Sequence, residues 1–148
     1  MSPHAPEIVR GGAKFLIPLI VTFAAYLVAA GLDAPGGGFA GGLSFALAIM
    51  LYGLVFGVDA ARAACPAWLM RIALALGAAG FIALGAAGLA RGYAFLDYQA
   101  LLNGPGPRTQ RLGVSLAEFC LLVSTAGAFV LIFYALAGRA GDMKDAEW

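Results

Sequence analysis

The sequence predicts an all-α integral membrane protein with four transmembrane helices and a glycine-rich turn between the first two. Two observations carry that prediction. The 148 residues are 62% hydrophobic and only 11% charged, with a mean hydropathy of +0.90. Soluble domains carry roughly 45–50% apolar and about 25% charged residues, so this chain lacks the polar surface to stay in water. The apolar residues also fall into four long runs, at residues 15–32, 39–58, 72–90 and 112–137. Each is about the 17–25 residues that a membrane-spanning helix needs. No further domain is expected beside this single membrane unit.

The first run is free of charge, is preceded by Arg10 and Lys14, and holds Pro18. It lacks a small-residue cleavage site and so reads as a retained span rather than a signal peptide. Next comes Pro35-Gly36-Gly37-Gly38-Phe39-Ala40-Gly41-Gly42, which holds five of the chain's 21 glycines. Proline fixes φ and has no N–H, whereas glycine tolerates angles that other residues avoid. Such a stretch specifies a tight connection whose backbone is free to approach something closely. It is too short to hold a domain, so spans one and two form an antiparallel hairpin. Gly36-x-Gly38-x-x-Gly41 matches a dinucleotide fingerprint in form only, because that motif needs a preceding strand. A phosphate-binding loop fails too, since Leu43 stands where its lysine belongs.

Residues 59–71 read as a polar loop with Trp68 placed for the interface. In the third span alanines recur at 75, 79, 83 and 87, with glycines at 77, 80, 85 and 88. Small residues at this spacing let membrane helices approach closely, so this span is expected to pack against protein. Residues 91–111 form the longest connection. Tyr93, Phe95 and Tyr98 mark it as interfacial or partly re-entrant, and Asn103-Gly104-Pro105-Gly106-Pro107 is a strong turn signal. Four spans place both termini on one side, with six Lys/Arg (10, 14, 62, 71, 139, 144) against three (91, 108, 111) on the other. The positive-inside rule then makes the termini cytoplasmic.

Glu118 is the only ionisable residue inside any apolar run. A carboxylate at that depth is costly and by default marks an ion or proton route, or a partner across the bundle. Ser115 lies one turn before it. Asp33, beside the glycine turn, is a second candidate for ion entry, although Asx side chains in turns commonly satisfy local backbone instead. Thr22, Tyr26, Ser44 and Tyr134 are expected to make interhelical hydrogen bonds. Cys65 and Cys120 have neither metal spacing nor reason to pair. A formal charge of +1 offers no field for nucleic acid. No nucleophile–base pair, metal cluster or cofactor motif is present, so no enzyme, cofactor or metal is expected.

The Pro35–Gly42 turn, the four spans, Gly113-Val114 followed by Glu118, and the closing run from Val130 to Leu136 together resemble the MnhB family. These are the small B subunits of multisubunit Mrp-type sodium/proton antiporters. Where that family carries a histidine or other polar residue shortly after the glycine matching Gly31, this chain has Leu32-Asp33. The resemblance implies a cell (inner) membrane protein with no cofactor. Its partners would be large complex I-like subunits, small membrane subunits, the lipid bilayer, Na+ and H+. It implies a part in assembly and in an ion route through Glu118. The alternative is a scaffold subunit of an antiporter or of a related membrane-bound hydrogenase-type complex. A stand-alone four-helix exporter fits less well, because those carry their carboxylate in the first helix.

Overall fold

The computed structural model describes residues 7–31, 37–98 and 106–145, with side chains described through 139. It is all-helical among those residues: α1 (Glu7–Ala30), α2 (Gly38–Phe56), α3 (Val58–Ala64), α4 (Ala67–Ala90) and α5 (Pro107–Asp145). Four of the helices, all but α3, are long and apolar enough to cross a membrane.

The helices outrun the charge-free windows. α1 begins at Glu7 rather than near residue 15, so Pro18 lies in mid-helix, where the Thr22 hydroxyl donates to its carbonyl at 2.9 Å. α4 starts at Ala67, which turns the expected loop at 59–71 into the short helix α3 plus a first turn of α4. α5 starts at Pro107, whose fixed φ and missing N–H suit a first helical position. Charged residues end an apolar run without ending a helix, because intrahelical hydrogen bonds do not depend on what the side chains meet. At 39 residues α5 is about 58 Å long, roughly twice the hydrocarbon thickness.

The long helices form a row in the order α1, α2, α5, α4. Glycine sets how closely they meet. On α2, Gly38 and Gly42 rest on the Glu118 and Leu122 backbones of α5, while Gly41 meets Ala24 and Val28 of α1. Between α4 and α5, Gly77 meets Cys120 and Ser124, and Gly127 meets Met70 and Leu74. The third span thus packs against protein as expected, through its glycines; Ala75, Ala79 and Ala83 face outward. The core sits towards the end bearing α3, around Ala46, Ala61, Met70, Val130 and Tyr134. There the Tyr134 hydroxyl lies 2.9 Å from both the Ala61 and Cys65 carbonyls, pinning α3 to α5. Both cysteines are free thiols.

At the opposite end the 91–98 connection folds back onto the helices. Arg91 and Tyr93 N–H both donate to the Gly88 carbonyl, and Gly92 takes φ +80°. The Phe95 ring fills the space over Gly85, and the backbone of Ala94 and Asp97 lies over Gly88. Gly85 is five residues short of the end of α4, so the connection re-enters by about 8 Å.

Candidate functional site

Gly37 and Gly38, in the glycine-rich stretch, are about eighty residues from Glu118 in sequence and touch it in the structure. Gly37 is the N-cap of α2, with φ +105° and ψ 178° and no side-chain cap. That region of backbone space is essentially open only to glycine. The Gly37 N–H donates to the Leu27 carbonyl at 3.0 Å, the same oxygen that accepts from Gly31 at 3.0 Å, which ties the far side of the turn to the end of α1.

Glu118 fills the space these glycines leave. A Cβ on Gly37 would lie 3.1 Å from Glu118 Oε1, and one on Gly31 would lie 2.9 Å from Oε2. Gly38 sits directly on the Glu118 main-chain carbonyl. The carboxyl is therefore seated between the end of α1 and the first turn of α2. The N-terminus of a helix exposes unsatisfied N–H groups and roughly half a positive charge, and a carboxylate is stabilised there. Among the described residues, α1 and α2 bring no ionisable side chain to this seat.

Glu118 also lies farther from the start of its helix than its apolar run suggests. It is eleven residues from the start of α5 rather than six, about 16 Å along the axis. The α1–α2 hairpin meets α5 at that level, so α5 and the end of α4 stand beyond it. The 91–98 connection packs against this end of α4 and α5: the Tyr98 ring lies over Gly113, where any Cβ would collide with it. Burial pushes the Tyr98 phenol above its ordinary value, and the Glu118 carboxylate raises it further.

Of the other residues singled out from sequence, Ser115 turns to its own helix, its hydroxyl donating to the Arg111 carbonyl at 2.8 Å. Asp33, Pro35 and Gly36 lie outside the described residues. Gly41 and Gly42 line the helix contacts below the turn. Tyr98 was not singled out as a site residue. Its signal was indirect, an aromatic in a connection long enough to fold back onto Gly113. Among the described residues no three His, Cys, Asp or Glu side chains gather to hold a metal ion.

A family profile described as "Domain related to MnhB subunit of Na+/H+ antiporter" matches residues 8–138, nearly the whole chain. The chain belongs to the MnhB family. Two strains of Staphylococcus epidermidis carry similar proteins, each named "Putative antiporter subunit mnhB2". Each is 28% identical over 134 residues, covering 88% of this chain and 94% of the relative. Family and spans together make this a multi-pass membrane protein of an antiporter-subunit family. The matched residues take in the α1–α2 turn, the 91–98 connection and Glu118.

Proposed function

We propose that the chain is a non-enzymatic subunit of a multisubunit Na+/H+ antiporter of the cell (inner) membrane, and that Glu118 borders its ion route. One observation carries the reading: the carboxyl of the only acidic or basic residue in an apolar run is held against irregular backbone and the open N-terminus of α2. Non-helical backbone at membrane depth is tolerated only where protein buries it or water reaches it. A carboxyl that can exchange a proton or a cation at such a place has what an ion route requires. Asp33, adjoining the turn, would serve entry, and Ser115 would border the same face. The six-to-three distribution of Lys and Arg supports termini in the cytoplasm.

A second reading has its own support. Gly37, the N-cap of α2, has no side chain to accept from the first N–H groups of the helix, so Glu118 would serve as the missing acceptor and lock the hairpin to α5. That would make the chain a scaffold of an antiporter or a related complex.

Glu118→Gln separates the two, because it keeps the shape and removes the charge. Sodium-driven proton exchange in everted vesicles holding the whole complex is expected to fall about tenfold or more, the scale at which a proton-transferring group acts, with the complex still assembled. Full exchange by an assembled mutant ends the ion-route reading and leaves the scaffold.

A further inference from the structure

At the end of the molecule that bears α3, the seam between α1 and α2 carries two cations above an aromatic groove. Lys14 stands beside Phe15, the first residue of the charge-free run, so its ammonium reaches the level where hydrocarbon gives way to headgroups. Arg10 lies one turn farther out on the same face of α1, and its guanidinium rests over the Phe56 ring, 5.4 Å from the centroid. Like charges four residues apart on a helix repel each other, and an anion between them removes the cost. Among the described residues neither cation pairs with a carboxylate. Glu7 lines the outer groove with them, about a turn farther from the membrane, and leaves an excess of positive charge. Inward of Lys14 the lining turns apolar at once. An open groove of about 310 Å³ runs between Lys14, Ile17 and Pro18 of α1 and Tyr52 and Phe56 of α2, whose ring centroids are 4.9 Å apart. By helical spacing the same two faces continue inward as Val21 and Ala25 on α1 and Phe45 on α2, which line the next groove. From Lys14 to Ala25 is about 16 Å along the axis, roughly half the hydrocarbon thickness.

We propose that this seam binds an anionic phospholipid of the leaflet on that side, its phosphate between Arg10 and Lys14 and an acyl chain along the groove. Charge and depth select this occupant together. Basic side chains at the membrane surface attract anionic headgroups, and these two stand at the level of the lipid phosphates. The trough below them is apolar and about one leaflet long. A phospholipid presents an anion and an apolar chain in that order and over that distance. A neighbouring helix would satisfy the same seam only by bringing a carboxylate to the two cations. Phe56 contributes twice, as a wall of the groove and as the surface that holds the Arg10 guanidinium at its mouth. The site rests on the membrane spans and not on Glu118, which meets α2 at its other end.

The experiment reconstitutes the assembled complex in phosphatidylcholine vesicles containing a minor share of phosphatidylglycerol with a diazirine in its acyl chain. Illumination is expected to label this chain within residues 17–25 and 45–56, read by peptide mass spectrometry. The same probe with a choline headgroup should label them about tenfold less. Arg10→Gln together with Lys14→Gln is expected to bring labelling by the anionic probe down about tenfold, to the choline level. Arg71→Gln, an exposed cation at the start of α4 across the row, should change nothing. If the double variant does not assemble, Lys14→Gln alone decides with a several-fold fall, because Lys14 is exposed and its loss leaves the packing intact. Equal labelling by the two probes overturns the proposal, as does unchanged labelling in the deciding variant. An equal fall in Arg71→Gln overturns it too, since the general field of the surface would then be the cause. So does capture of a neighbouring subunit by a benzoylphenylalanine placed at Ile17, because protein would then fill the groove. The readout is lipid labelling, so failure here leaves the ion route standing, and full exchange by Glu118→Gln leaves the lipid site standing.

Discussion

A Cβ on Gly38 would collide with the Glu118 carbonyl, which is main chain and cannot swing aside. Gly37 is constrained differently, by its φ of +105°. By contrast Gly12 in α1 has nothing within 4 Å of the place its Cβ would take. Gly38→Ala is expected to cost about 1–3 kcal/mol through overpacking, and Gly37→Val about the same through backbone strain. Gly12→Ala should be neutral or slightly stabilising, as in any helix interior. The yield of assembled complex from matched expression reads all three. Normal yield from both Gly37→Val and Gly38→Ala would refute the account of the turn. That these glycines allow a close approach was legible in the sequence, because a proline followed by three glycines has few other uses. What they approach was not legible, since nothing in the turn points to a residue about eighty positions away.

At the scale of elements, α3 shows how one hydroxyl docks a helix too short to hold itself. Tyr134 is 5% exposed, its hydroxyl is shared between the Ala61 and Cys65 carbonyls, and the Arg62 guanidinium lies 5.6 Å from its ring centroid. Burial also pushes the Cys65 thiol above its ordinary value, and only the thiolate reacts with maleimide. Tyr134→Phe removes a hydrogen bond of about 0.5–1.5 kcal/mol. α3 should loosen, Cys65 should become better hydrated and more thiolate, and maleimide labelling in a Cys120→Ser background should speed up a few-fold. An unchanged rate would show that packing alone holds α3. The sequence reading gave Tyr134 an interhelical bond and read residues 59–71 as loop. It found the bond and missed the helix, because seven polar and small residues carry too little periodicity to announce one.

At the scale of the whole molecule, the row of helices has α1 and α4 at its ends and leaves much apolar surface uncovered. Phe15, Leu54, Leu76, Ile82 and Leu136 are all exposed. Two open apolar grooves, of about 230 and 390 Å³, flank Phe45 and Leu122. Within a bilayer, lipid covers such surface without penalty, so close packing and polar contacts decide which helices associate. A subunit made this way is expected to depend on its neighbours. Expressed without the rest of the complex, it should accumulate in membranes at a several-fold lower level by immunoblot, because unpartnered chains are cleared. Equal accumulation, together with sodium/proton exchange by the lone chain, would instead make it a transporter in its own right.

Composition and the spacing of the apolar runs were enough to determine the fold class, the number of spans and the residues worth watching. Each follows from free energies that are local and nearly additive along the chain: transfer of apolar side chains into lipid, the cost of a carboxylate there, the allowed angles of glycine. The order of the helices, the seat of Glu118 against Gly31, Gly37 and Gly38, and the return of Tyr98 onto Gly113 were decided only by tertiary structure. Each depends on which backbones approach within van der Waals contact. In lipid that choice is made by the fit of one small-residue surface to another, and a surface acquires its partner only when the helices have met.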